Sequence, residues 1–501
     1  MYQAVSETEP MLPSGGKQAE PGAVGSGSVR SMRLEAPAPH CNDGFFAALF
    51  LANVSAITVF AFVKGLPALE KSVAPRPTPG DQDFSHVFVL VAMLAGLAVA
   101  LSLAWMKLLM AYAGSMIRIA LWFNVGLTVA GAFAAFAVSP LTACFFLLMA
   151  ALNVWYIYAV QDRIGFASAN LKAACAAVSA HTGVFMVAFL LLVKQTAWLV
   201  LWALSALGVY QMLKDADPGC EKLNAQGRPE RFCGGVGGGF ALFAMLISVY
   251  WGQQVLQNIL TCTTAGTVAS WWYQPGTKKA TTGALYRSLT SSFGSICFGS
   301  LIVAVLQALR TMATILKNKA RDDDNGALAC VACLAECVLN CLEGIMEYFN
   351  QWAYVYVGIY GYDFRTSGKA VMDLFENRGW TAVINDDLTS SALTVGALGV
   401  GVVTAVIGLV VAKFSPDEWF AALGSNNAAY VVMGTIGFIA GMSMAMILAN
   451  VVITALHTVF VCFAEDPVAF SRNHPREYDD LVGGWRKFHG DELVSAYGSA
   501  V

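Results

Sequence analysis

Ten times along this 501-residue chain the sequence passes through a run of roughly 18 or more residues with few charges. Each run is long enough to cross a hydrocarbon layer as a helix. No other feature restricts the fold as tightly, because a backbone in hydrocarbon must satisfy its own polar groups. Composition agrees: 57% of residues are hydrophobic and 13% charged, about half the charged share of an ordinary soluble chain. These runs imply an all-α polytopic membrane protein with about ten transmembrane helices. The net charge of −3 says little about partners, since lipid-facing surface dominates. No basic block or zinc-finger spacing points to nucleic acid.

Hydropathy windows place the first five spans at Phe45–Val63, Val87–Met110, Met116–Val138, Leu141–Val160 and Val184–Tyr210. The other five fall at Phe240–Thr264, Phe293–Met312, Val338–Tyr360, Leu393–Val411 and Val431–Phe463. Residues 1–42, rich in Gly, Pro, Ser and Glu, read as a disordered cytoplasmic tail rather than a signal peptide. The first span is then an uncleaved anchor. Residues 43–466 form the transmembrane domain, and 467–501 a polar cytoplasmic C-terminal tail.

An even number of crossings puts both tails on one side. Arg30, Arg33, Arg472, Arg476, Arg486 and Lys487 favour the cytoplasm for that side. One stretch conflicts: "RTMATILKNKARDDDN" carries Arg310, Lys317, Lys319 and Arg321 on the opposite side. Either the count is off or the span at Val338–Tyr360 is misassigned.

Two polar stripes interrupt the apolar pattern. In "VYWGQQVLQNILT", Tyr250, Trp251, Gln254, Gln257, Asn258 and Thr261 fall within a sector of about 120° on a helix. A polar face in the membrane looks at other protein or at a water-filled cavity. Amides can glue helices together; three glutamines and an asparagine beside an indole and a phenol also suit a cavity lining. Ring faces and carbonyl oxygens would hold an organic cation there.

The second stripe, in "ALACVACLAECVLNCLEGIMEYFNQWAYVYVGIYGYDF", puts Glu336, Asn340, Glu343, Glu347, Asn350, Gln351 and Tyr354 in a sector of about 100°. Its carboxylates would attract a cation or carry a proton; the alternative is an amphipathic helix lying on the membrane surface.

Single residues divide the same way. His457 could relay a proton or pack, and Lys194 reads as structural. Cys330, Cys333, Cys337 and Cys341 form a helix stripe rather than a tetrahedral metal site. Cys220 and Cys233 would pair only in an extracellular loop. "FCGGVGGGF" lacks the lysine of a phosphate loop and reads, like Gly434, Gly437 and Gly441, as a place where helices approach closely. No enzyme motif, metal site or cofactor site emerges.

Three segments resemble the choline transporter-like family: "TCTTAGTVASWWY" with "SLTSSFGSICFGSLIVAVLQALR", "CLEGIMEYFNQWAYVYVGIYGYDFRTSGKAV", and "TVFVCFAEDP". With the span layout they cover most of the chain from Phe45 onward. The short first loop, "KGLPALEKSVAPRPTPGDQDFSH", is similar to the compact fungal and protist branch.

The resemblance implies a multi-pass transporter of the plasma membrane or an organellar membrane. It would move choline or ethanolamine without sodium, with proton exchange as a candidate coupling. His457 stands where the family pattern carries an acidic residue. Tyr250, Trp251, Gln254, Gln257 and Asn258 are the candidate substrate-binding residues, with Asn153, Trp155 and Tyr156 as an opposing wall. Glu343, Glu347 and His457 are the candidates for cation or proton coupling. Expected partners are a small organic cation and the lipid bilayer, and the oligomeric state is left open. A non-amine permease or channel, and a membrane scaffold or lipid-handling protein, are the competing functions.

Overall fold

The computed structural model describes residues 41–73, 85–136, 139–161, 163–217, 235–322, 325–378, 389–416, 419–420 and 426–497. The N-terminal tail up to residue 40 and the Cys220 and Cys233 loop lie outside them. Within the unit Leu34–Val501, the described regular structure is helical.

In chain order, α1 (Gly44–Phe60) passes through a π-turn at Ala61–Gly65 into α2 (Leu66–Val73). α3 (Ser85–Ala111), α4 (Ala113–Phe136), α5 (Pro140–Val160), α6 (Arg163–Ala180), α7 (Gly183–Ala216) and α8 (Gly235–Tyr273) follow. After them come α9 (Ala280–Leu289), α10 (Phe293–Asp322), α11 (Gly326–Tyr360) and α12 (Phe364–Arg378). The last four are α13 (Thr389–Phe414), α14 (Asn426–Glu465), α15 (Pro467–Asn473) and α16 (Pro475–Tyr497). Among the described residues, ten helices are long and apolar enough to cross a membrane, and they coincide with the ten expected spans.

The three helices that matter most for the site run the same way. Trp272 Nε1 of α8 donates to the Asp466 carbonyl just past α14 (3.1 Å), and Cys262 Sγ of α8 to the Tyr354 carbonyl of α11 (3.4 Å). α10 runs against α11, since Arg310 meets Glu343 while Tyr354, later on α11, bonds back to Ile296. α8, α11 and α14 hold 39, 35 and 40 residues. At about 1.5 Å per residue they are more than 50 Å long, well beyond the roughly 30 Å of hydrocarbon.

Their C-terminal thirds form a packed layer. Trp352 to Val357 of α11 and Ala455 to Ala464 of α14 are buried. So is Trp272 of α8, stacked on Phe470 at 4.0 Å.

Both ends of the described chain close this layer. Asn42 donates through Nδ2 to the Gly361 carbonyl (2.8 Å), and Ser295 donates to the Asp43 carboxylate (2.8 Å). The segment expected to be a polar C-terminal tail is helical in its described part. Asp466 caps α15 by accepting from the Ala469 amide, with Pro467 in its first turn. Phe470, Leu481 and Trp485 are buried, and the Trp485 indole donates to Asn170 of α6 at 2.7 Å. The polar residues of this segment are the outer face of two amphipathic helices, which is why composition alone suggested a tail.

The conflicting basic stretch is also resolved. The span at Val338–Tyr360 exists and extends back to Gly326. Two of its four conflicting bases are paired with α11: Arg310 with Glu343, and Lys317 with Glu336. They are helix-interface charges, and the helix that pairs with them is one of the ten among the described residues that are long and apolar enough to cross a membrane.

α13 and α14 approach closely at glycines, as expected for Gly437 and Gly441. A Cβ on Gly437 would lie 2.7 Å from the Thr404 carbonyl oxygen, and one on Gly441 would collide with the Thr404 side chain. The run that opens α8 behaves otherwise: a Cβ on Gly237 or Gly239 would meet nothing within 4 Å. Gly437→Val is therefore expected to cost about 1–3 kcal/mol through overpacking. Gly239→Val should leave the melting temperature of the detergent-purified protein near wild type. Equal melting temperatures for the two variants would contradict the close approach.

Candidate functional site

A cavity of about 430 Å³ opens between α8, α10, α11 and α14, within the roughly 300–1,000 Å³ range of small-molecule sites. Its lining falls into two tiers. Gln254, Gln307, Glu347 and Asn450, one from each helix, ring the tier farther from the packed layer. Asn258, Thr261, Asn350, Gln351, Thr454 and His457 form the deeper tier, with Val303 and Ile453 as apolar contacts.

The floor is a chain of hydrogen bonds. Asn258 Nδ2 donates to Ser300 Oγ (2.9 Å), Ser300 bonds the Tyr354 hydroxyl (3.2 Å), and Tyr354 donates to the Ile296 carbonyl (3.1 Å). Asn350 donates to the Gly299 carbonyl (3.3 Å), while its buried Oδ1 has no hydrogen-bond partner among the described residues. Below this level Cys262, Thr263, Ile296, Cys297, Trp352 and Thr458 are buried. The cavity is therefore shut toward the packed layer. At the upper tier Glu347 is exposed, and Gln307 Nε2 donates to its Oε1 at 3.4 Å.

The structure brings together Gln254, Gln257, Asn258, Glu347 and His457 from the expected set. It separates the others. Trp251 is 3% exposed; its indole donates to the Cys297 carbonyl (2.9 Å) and packs edge-on against Phe50. Tyr250 shares a hydrogen bond with Thr311 (2.9 Å), and Gln253 accepts from Gln195 of α7. A helix enclosed by several neighbours has more than one polar interface, and a 120° sector takes in both cavity and glue. The expected aromatic lining is thus corrected to one of amides, a carboxylate and an imidazole.

On α5, Trp155 is 70% exposed and Tyr156 43% exposed, facing out of the fold. Asn153 accepts from Asn124 of α4 (3.4 Å) and donates to the Met149 carbonyl. It is interhelical glue, so this trio forms no opposing wall. Glu343 is buried against Arg310 at 2.8 Å and does not line the cavity. Lys194 is exposed on α7.

Sequence reasoning missed Gln307 and Asn450. Asn450, Thr454 and His457 recur at helical spacing, a signal that was legible but diluted by the apolar residues around it. It also missed Trp352, whose ring lies 4.5 Å from His457 and is the aromatic face closest behind the lining imidazole.

A family model described as plasma-membrane choline transporter matches residues 144–468. The chain is similar to Protein PNS1 of Mycosarcoma maydis, 27% identical over 457 residues covering 88% of this chain and 83% of the relative. Protein PNS1 of Eremothecium gossypii is 26% identical over 458 residues, covering 88% and 80%. A CTL-like protein of Dictyostelium discoideum is 23% identical over 463 residues, covering 90% and 77%.

The geometry separates core from rim. Trp251→Ala should cost about 3–5 kcal/mol as a buried large-to-small change and reduce folded yield in size-exclusion chromatography. Trp155→Ala should leave that yield unchanged.

Proposed function

Because this chain belongs to the plasma-membrane choline transporter family, we propose that its amide-lined cavity carries choline or ethanolamine across the membrane by alternating access, independently of sodium. The supporting observation is Glu347, a carboxylate opening into a cavity whose described lining contains no lysine or arginine. A negative charge in a low-dielectric groove favours a cationic solute.

Gln254, Gln257, Asn258 and Asn450 supply carbonyl oxygens that would surround the cation without needing a hydrogen bond from it. The His457 ring lies at the deeper end, backed by Trp352, and is the ring face a quaternary head group would find there. Asn350 Oδ1 offers one more acceptor. The closed packed layer below and the exposed Glu347 above suit one state of an alternating-access cycle. The reverse state would require α8, α10, α11 and α14 to separate at the level of Trp352 and Tyr354.

The lining also favours a second reading within the amines. Amide oxygens outnumber ring faces, so ethanolamine, whose ammonium donates hydrogen bonds, would satisfy them more fully than choline. Glu347 and His457 border the same cavity, and two titratable groups beside a bound cation would couple its passage to proton movement. The family description supports residence in the plasma membrane, with an organellar membrane as the alternative, and this reading puts the chain's termini on the cytoplasmic side. The family is one of transporters, so no enzymatic step is assigned.

Labelled choline uptake into proteoliposomes tests this reading. Uptake should exceed that of empty vesicles, persist when sodium is replaced by potassium, and change rate under an imposed pH gradient. Glu347→Gln should weaken choline affinity about tenfold or more, and competition by ethanolamine should be at least as strong as by choline if the second reading holds. Folded protein that accumulates neither amine above empty vesicles would overturn the proposal.

A further inference from the structure

We propose that Glu343 is a positioning residue: it holds the Arg310 guanidinium away from Glu347, so that the cavity keeps an unneutralised carboxylate for its cation. This rests on the organic-cation reading of the cavity and assigns a role to a charge pair outside it.

The pairing between α10 and α11 is a ladder. At its far end Lys317 meets Glu336, which also accepts from Thr314 Oγ1 at 2.9 Å. At the next level Arg310 meets Glu343 at 2.8 Å and donates to Asn340 at 3.0 Å. At the level bordering the cavity the α10 residue is an amide, Gln307, which donates to Glu347 at 3.4 Å. Arg310 and Lys317 thus face three carboxylates. The one left without a basic partner on this ladder is the one that lines the cavity.

That outcome depends on which carboxylate Arg310 chooses. Arg310 lies three residues beyond Gln307, one helical turn, and Glu343 lies one turn from Glu347 on the same face of α11. Both acids are therefore close to one long, flexible base. The Arg310 side chain is 39% exposed, whereas that of Glu343 is 6% exposed and held in the interface. Glu343 Oε2 lies 2.8 Å from Arg310 Nη1 as an ion-pair partner, and the same Nη1 donates to Asn340 Oδ1, so both contacts hold the guanidinium on one side. Without the Glu343 charge, Glu347, one turn away on α11, is the ladder carboxylate still open to the guanidinium, because Glu336 is held by Lys317. An arginine–carboxylate contact there would occupy the oxygens a substrate cation needs and place a positive charge at the mouth of the site.

The prediction has a signature that a merely structural role lacks. In proteoliposomes, Glu343→Gln should raise the choline KM about tenfold or more while maximal rate changes less than about twofold. The Glu343→Gln and Arg310→Gln double variant should return KM to within about threefold of wild type, because the competing cation is gone. Glu343→Asp should remain close to wild type. Binding of labelled choline to purified protein gives the same comparison without transport. Its displacement by the uncharged isostere 3,3-dimethylbutan-1-ol should be relatively stronger in Glu343→Gln than in wild type.

Melting temperature and elution volume establish folding for each variant, and the double variant carries the test where the single one does not fold. An unchanged KM in folded Glu343→Gln, or a folded double variant that does not bind choline while wild type does, overturns this inference alone. Wild-type protein that binds no choline or ethanolamine overturns the cavity reading beneath it.

Discussion

A polar side chain on a membrane helix cannot be left facing hydrocarbon, and the site in this protein is organised by how that demand is met. α8 meets it in three ways within one stripe. Gln253 bonds to Gln195 on α7, Tyr250 and Trp251 bond to α10, and Gln254, Gln257 and Asn258 border a cavity. α11 repeats the division, with Glu336 and Glu343 paired to bases of α10 while Glu347, Asn350 and Gln351 turn toward the same space. The cavity is what remains once the glue between helices has been accounted for. Its chemistry is accordingly that of amides, one carboxylate and one imidazole rather than of tryptophan and tyrosine rings.

The second organising element is an asymmetry along the helix axes. Toward the C-terminal ends of these helices, large aromatic residues pack on one another: Trp272 on Phe470, Trp485 against Phe463, and Tyr356 donating to Glu465 at 2.8 Å. Helices longer than the hydrocarbon layer extend into this region, where α6, α9, α15 and α16 cover them. Close packing of this kind is bistable rather than compliant. A transport cycle would have to exchange one packed arrangement for another there, and the hydrogen bonds donated by Asn42 and accepted by Asp43 tie the N-terminal edge of α1 into whatever moves.

Electrostatics along α10 and α11 joins these two elements. A ladder of opposite charges descends toward the cavity and ends on a neutral amide at the level where a base would cancel the carboxylate. Opposite charges inside a helix interface also account for Arg310 and Lys317, two of the four basic residues that a charge count by sequence finds out of place. They are placed there by their partners on the next helix.

Apolar run length alone determined the class and the ten crossings, because the hydrocarbon thickness fixes how long a spanning helix must be. Helical periodicity was also enough to pick out the α8 and α11 stripes and the glycines Gly437 and Gly441 at the α13–α14 contact. Which face of a stripe meets water could not be read that way. Trp251 and Gln254 share a sector, yet one is core and the other lines the cavity, since the difference lies in which helices stand opposite. The same holds for Glu343 and Glu347, one turn apart and chemically identical: only the position of Arg310 on a neighbouring helix buries one and leaves the other open. Trp155 and Tyr156 looked like a wall until the packing of α5 turned them outward, and Asn450 entered the site through a helix whose sequence is almost wholly apolar. Periodicity is a property of one helix, whereas a cavity is a relation among four, and that relation exists only after the helices have packed.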